Sequence, residues 1–172
     1  MVDELKVKIR DIPNFPKDGI IFKDITTLLS DPEAYRKAID SMAQHYEGKA
    51  IDLVVGVEAR GFIISAALSY RLGAGLVLIR KPGKLPYLTH RIEYTLEYGT
   101  DELEMHQDAI KPGQKVLIAD DLLATGGTIS AATNLVEMLQ GDIVGLCFLV
   151  ELTFLDGRQS IGDYDIFSLI QF

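Results

Sequence analysis

The stretch Val116-Leu117-Ile118-Ala119-Asp120-Asp121-Leu122-Leu123-Ala124-Thr125-Gly126-Gly127-Thr128 decides how the rest of this chain is read. Its apolar opening reads as a strand, Lys115–Asp120, that runs into two adjacent carboxylates. A small-residue loop follows. From Ile129 to Gln140, apolar residues at 129, 132, 135, 136 and 139 share one helical face. Strand, small-residue loop and helix start together form an anion cradle, because glycines let the backbone approach closely and free helix N–H groups point at a phosphate. Thr125 and Thr128 add hydroxyl donors. The two aspartates precede the cradle, where a sugar carrying the phosphate would lie. A Gly-Gly-Thr or an acidic pair alone is usually an ordinary turn or a solvated cap. The ordered combination is harder to explain by packing.

Outward from this stretch, strand and helix patterns alternate. A helix opens at Asp31-Pro32, with Ser30 and Glu33 in capping-box spacing and apolar positions at Ala34, Tyr35, Ala38, Ile39, Met42, Ala43 and Tyr46. Strand Leu53–Val57, helix Gly61–Leu72, strand Gly75–Arg80 and, after the helix over 129–140, strand Ile143–Val150 complete the rhythm. Apolar strands separated by amphipathic helices predict an α/β fold with a mainly parallel sheet covered on both faces. Ligands of such sheets bind beyond the strand C-termini. Glu58-Ala59-Arg60, Arg80-Lys81 and Asp120-Asp121 all fall there. Residues 82–101 are too long for a plain connection and read as a lid, with a hairpin strand alternating at Ile92, Tyr94, Leu96 and Tyr98. Glu102–Ile110 reads as a helix with Glu102 and Glu104 on its surface. Residues 9–27 read as an irregular covering segment, given their prolines and Gly19.

The 172 residues are 48% hydrophobic and 24% charged, with 17 basic against 25 acidic side chains. That is the composition of one globular domain, residues 1–172. A net charge of −8 repels nucleic acid and anionic lipid, so neither is an expected partner. The single cysteine, Cys147, lies in an apolar run and reads as core; it fits a reducing, cytoplasmic compartment. No apolar span of transmembrane length or signal sequence is visible. His45, His90 and His106 have no metal-ligand spacing.

The hydrophobic strand, acidic pair and Thr-Gly-Gly-Thr loop resemble the signature of the type I phosphoribosyltransferases, which act on phosphoribosyl pyrophosphate (PRPP). The resemblance covers most of residues 11–158, and the form Asp-Asp-Leu-Leu-Ala-Thr-Gly-Gly-Thr is similar to the branch that acts on adenine. It implies the type I phosphoribosyltransferase fold, with a small N-terminal hood over residues 1–30 and a flexible catalytic loop over 82–101. It implies adenine, PRPP, AMP and pyrophosphate as ligands, Mg2+ as cofactor, and a homodimer. Asp120 and Asp121 would hold the ribose hydroxyls, either one also a possible Mg2+ contact, while Leu122 and Ala124, Thr125, Gly126, Gly127 and Thr128 would surround the 5′-phosphate.

Val57-Glu58-Ala59-Arg60-Gly61 ends a strand at a helix start. By the same resemblance Glu58, Ala59 and Arg60 would bind pyrophosphate, with a cis Glu58–Ala59 peptide. Arg80, Lys81 and Lys84 match the family's Arg-Lys-x-Gly-Lys-Leu-Pro stretch and would add cationic contacts, Arg80 through its rigid fork. Leu96-Glu97-Tyr98-Gly99 matches the family's loop: Glu97 would handle the purine proton and Tyr98 would close over the site. Ile21-Phe22-Lys23 resembles the base-binding segment, with Phe22 stacking on the base and the backbone reading its edge. A transferase for xanthine, hypoxanthine or orotate shares the phosphate motif. A non-catalytic PRPP-binding regulator is the alternative from another class; it would usually carry a DNA-binding domain and a basic face.

Overall fold

The computed structural model describes residues 2–95 and 100–172. Short α1 (Val2–Lys6) precedes the ribbon β1 (Arg10–Pro13) and β2 (Ile21–Asp24), then α2 (Thr26–Leu29) and α3 (Pro32–His45). The sheet elements follow as β3 (Leu53–Val57), α4 (Gly61–Leu72) and β4 (Gly75–Ile79). The hairpin β5 (Thr89–Thr95) and β6 (Thr100–His106) is inserted before β7 (Lys115–Leu123), α5 (Gly127–Met138), β8 (Asp142–Glu151) and β9 (Ile166–Gln171). Five strands form one parallel sheet in the order β4-β3-β7-β8-β9.

Strand alternation divides the core in two. Leu117, Ala119, Cys147 and Leu149 face the core that α3 and α4 complete with Ala38, Met42, Ile64 and Leu68. Val116, Ile118, Leu146 and Phe148 face the other core, closed by Ile129, Ala132, Leu135 and Val136 of α5 and by Leu103 and Met105 of the hairpin. Burial on both faces is why these strands are apolar without interruption. Cys147 is fully buried, and burial pushes its thiol pKa up, away from thiolate reactivity.

Four expectations are corrected. The cap of α3 is Asp31, whose carboxylate accepts the Glu33 and Ala34 N–H groups at 3.0 and 3.1 Å, while the Ser30 hydroxyl donates to Thr27 O. Pro32 fixes the first helical position, so the cap is the residue before it. Residues 102–110 form no helix. Glu102 to His106 belong to β6, paired with β5 as Ile92 opposite Leu103, and Glu104 is buried rather than on the surface. Local helix propensity of the acidic run loses to pairing on two sides, since Glu104 also bridges to Arg80.

The segment 9–27 is more regular than expected. Its β1–β2 ribbon carries a cis Phe15–Pro16 bond, and Ile9 and Ile25 join the core. Finally, β7 does not stop at Asp120. It continues beside β8, with Leu122 opposite Val150 and Leu123 opposite Glu151, so the acidic pair sits inside the sheet. Among the described residues, no helix is long and apolar enough to cross a membrane.

Candidate active site

The C-terminal ends of β3 and β7 and the first turns of α4 and α5 enclose a cleft of about 440 Å3. Its walls are Glu58–Arg60 from the β3–α4 turn and Asp120–Ile129 from β7 through the start of α5. Gly126 adopts a left-handed conformation, φ +88°, that favours glycine, and it turns the chain into α5. Ser130 N–H donates to Gly126 O at 2.9 Å, so the helix amides ahead of it lack intrahelical acceptors and face the cleft end. Free N–H groups at a helix start are the chemistry that takes an anion.

Asp120 and Asp121 are 8% and 5% exposed. Asp120 Oδ1 accepts the Asp121 N–H at 2.8 Å, and α4 approaches so closely that a Cβ at Gly61 would strike that same oxygen. Arg60, at the start of α4, places Nε 2.9 Å from Asp121 Oδ2. Burial, and then the neighbouring Asp121 charge, raise the Asp120 pKa well above the carboxylate range. Burial raises Asp121 as well, opposed by Arg60. One guanidinium thus faces two buried carboxyl groups, which favours a further cationic or hydroxyl-rich ligand here.

A second, apolar recess of about 340 Å3 adjoins this cleft, lined by Ile12, Phe15, Phe22, Asp24, Ile25, Thr26 and Arg60. Arg60 belongs to both, its guanidinium carbon 5.4 Å from the Phe22 ring centre. Phe15 holds Phe22 edge-on at 5.2 Å. Asp24, pinned by Arg10 Nη2 at 2.5 Å and by Thr26, has its pKa lowered to about 2.

The remaining expected residues are placed less uniformly. The Glu58–Ala59 peptide is cis. Glu58 accepts Arg80 Nε at 3.1 Å, Arg80 Nη2 at 3.2 Å and the Lys81 N–H at 2.9 Å, which outweigh burial and lower its pKa. Arg80 is therefore held by Glu58 and does not line the cleft. Lys81 pairs with Asp101, and Lys84 lends its carbonyl to Arg80 Nη1 at 3.3 Å. Ile21 is exposed, and the Lys23 ammonium turns away from the recess to Asp11 at 2.7 Å and to the Phe172 ring at 4.0 Å. Glu97 and Tyr98 lie outside the described residues. Sequence reasoning missed Leu123 and Ile129 in the cleft wall, and the buried Glu104, which receives Arg91 Nη2 at 2.7 Å and the Gly83 N–H at 3.0 Å. Only the alternation of Leu103 and Met105 around Glu104 could have signalled a strand there.

An acidic pair inside a parallel sheet, beside an open anion cradle, is the arrangement of enzymes that handle a phosphorylated sugar. Residues 24–171 match the model of the phosphoribosyl transferase domain family. The chain is 63% identical to the adenine phosphoribosyltransferase of Trichlorobacter lovleyi, over 99% of this chain and 100% of that one. Its fold superposes on the crystal structure of the Thermoanaerobacter pseudethanolicus adenine phosphoribosyltransferase with a TM-score of 0.97, at 56% identity and full coverage of both chains. The Saccharomyces cerevisiae enzyme, solved with adenine and an imino-altritol bisphosphate, gives a TM-score of 0.94 at 39% identity over 98% of each chain. The chain is a type I phosphoribosyltransferase. Within that class it belongs to the adenine phosphoribosyltransferase family.

Proposed function

We infer that this protein transfers the phosphoribosyl group of PRPP to adenine, giving AMP and pyrophosphate in purine salvage. The observation that carries the reading is the joint cleft: a helix-start cradle with a buried acidic pair, opening through Arg60 onto an apolar recess with room for a base. In the reaction the C1′–O bond to pyrophosphate breaks, and adenine N9 forms the new bond to C1′. Ala124–Thr128 would hold the 5′-phosphate. Asp120 and Asp121 would fix the ribose hydroxyls and place negative charge beside the cationic sugar of the transition state. Arg60 would bear on the departing pyrophosphate, with Glu58 and Ala59 shaping its turn. Arg80, Lys81 and Lys84 would act around it only on leaving their present partners.

Phe22 would stack on the base while the backbone of Ile21 and Lys23 reads its edge. Glu97 would take the N9 proton, and Tyr98 and the 82–101 loop would shield the sugar from water. Residues 1–30 would serve as the hood. Among the described residues no group of three or more His, Cys, Asp or Glu could hold a metal by itself. The buried acidic pair with one counter-charge nonetheless suits Mg2+ carried by the ligand's oxygens and water, with Asp120 or Asp121 nearby. Mg2+ would supply charge neutralisation on the pyrophosphate.

Exposed Ile63 and Tyr70 on α4, with Leu76 and Leu78 on edge strand β4, favour pairing with a second copy of the chain. A buried free thiol suits the reducing cytoplasm. Pyrophosphate release from PRPP and Mg2+ should occur with adenine and not with hypoxanthine, guanine, xanthine or orotate. Release with another base would overturn the base assignment. Binding of PRPP without release would indicate a regulator.

A further inference from the structure

Directly after β8 the chain makes two short 3-10 turns, Thr153–Leu155 and Gly157–Ser160, joined at Asp156, which has φ +51°. The second turn is anchored on one side and pressed against the phosphate cradle on the other. The anchor is Glu151, only 4% exposed, which receives the Arg158 fork at 2.7 Å from both Nε to Oε1 and Nη2 to Oε2. Gln171 Nε2 adds a bond to Oε2 at 3.2 Å, and Arg158 Nη1 donates to Ile166 O at 3.3 Å. The ion pair therefore ties the turn to β8 and β9 at once.

The other side of the turn meets the cradle backbone to backbone. A Cβ on Gly157 would strike Ala124 O, and a Cβ on Gly126 would strike Gly157 O and lie 3.1 Å from Ser160 Cβ. Leu152 N–H also donates to Leu123 O at 3.0 Å. Two glycines in mutual contact leave no compressible side chain between turn and cradle, so a shift of one is passed to the other. Neither Glu151 nor Arg158 lines the cleft.

We propose that Arg158, through its bidentate pair with Glu151 and the Gly157–Gly126 backbone contact, is a positioning residue for the 5′-phosphate loop. It sets the loop's affinity for the phosphorylated sugar without touching it. The proposal rests on the phosphoribosyl transfer reading above. It separates the two halves of the site: the turn backs the cradle, whereas the apolar recess is built from β1, β2 and the start of α2.

The test uses the full chain with Arg158→Met, Arg158→Lys and Gly157→Ala. Arg158→Met removes the tether, and Gly157→Ala pushes on Ala124 O while leaving the ion pair in place. Ribose 5-phosphate affinity is read by calorimetry, KM for PRPP and for adenine by steady-state rates, and folding by thermal melting. Arg158→Met and Gly157→Ala should each weaken ribose 5-phosphate binding and raise KM for PRPP by about 10-fold or more, the scale of an ångström-level misplacement. KM for adenine should stay within about 2-fold. Arg158→Lys should restore part of the loss, because one ammonium replaces a two-toothed fork. Equal changes in both KM values, or unchanged ribose 5-phosphate affinity in folded variants, would overturn the positioning role. Failure of the wild-type protein to bind ribose 5-phosphate would instead bring down the functional reading on which it stands.

Discussion

Asp120→Asn should make the ligand-free protein more stable while disabling it. Two carboxyl groups, 8% and 5% exposed, share a single guanidinium, and that guanidinium sits on Asp121 at 2.9 Å. Among the described residues Asp120 has no cation of its own, and burial followed by the Asp121 charge raises its pKa well above the usual range. Each unit of such a rise opposes folding by about 1.4 kcal/mol once the group is ionised. Asparagine keeps an oxygen to accept the Asp121 N–H now bonded at 2.8 Å, so little is lost. A higher Tm at pH 8 follows, because the substitution removes a buried charge that burial and the Asp121 charge both oppose. The native pKa lies above the unfolded one, so the penalty carried by wild type is absent below about pH 4, grows as pH rises through the native value, and is constant beyond it. Paired melts at pH 4, 6 and 8 should show a widening difference. Turnover with PRPP and adenine should fall by roughly 10²-fold, the loss expected for one preorganised electrostatic group. A lower Tm at pH 8, or a gain that persists at pH 4, would refute the account of the buried pair.

Gly61→Ala should harm the same carboxylate sterically, since its Cβ would strike Asp120 Oδ1. A cost of about 1–3 kcal/mol in denaturant unfolding is expected, with a reduced kcat/KM for PRPP; full activity would show that α4 can retreat. Arg10→Met should shift acid unfolding to higher pH. Asp24, held near pKa 2 first by Arg10 and then by Thr26, contributes stability present above its unfolded pKa and lost as pH falls through about 2. A circular-dichroism pH titration should therefore show the variant unfolding ahead of wild type as pH falls from about 4 toward 2.

The parts of the fold that were legible are those where one physical rule acts alone. Strand β3 and helix α4 have the expected bounds, because an apolar run buried on both faces leads into a helix that Gly61 starts and Gly73, at φ +69°, ends. The end of β7 was not legible. Two aspartates look like a terminator, yet β8 carries the ladder onward to Leu123 and Glu151. The sequence of β6 favours helix locally, and only the partners on either side, β5 and Arg80, make it a strand. In the site, the expectation that Ala124–Thr128, Arg60 and the acidic pair lie together rested on their types and order, and the fold does bring them to one cleft. The Glu151–Arg158 tether was not, since an ion pair seven residues apart has no pattern until the turn between them is folded.

Arg60 shows why the two halves of the cleft work as one. Its fork must neutralise Asp121, lie near the Phe22 ring at 5.4 Å, and still face an anion across the turn. A planar, permanently charged group can meet all three demands, because stacking uses its face and hydrogen bonds use its edge. Without a ligand the guanidinium is committed to Asp121. A hydroxylated sugar arriving beside the acidic pair would take over part of that role and release Arg60 toward the pyrophosphate. On the proposed reading charge would favour one order: the phosphorylated sugar would complete the electrostatics of the cradle before the wall shared with the apolar recess takes its working position. Filling of the recess should therefore follow filling of the cradle.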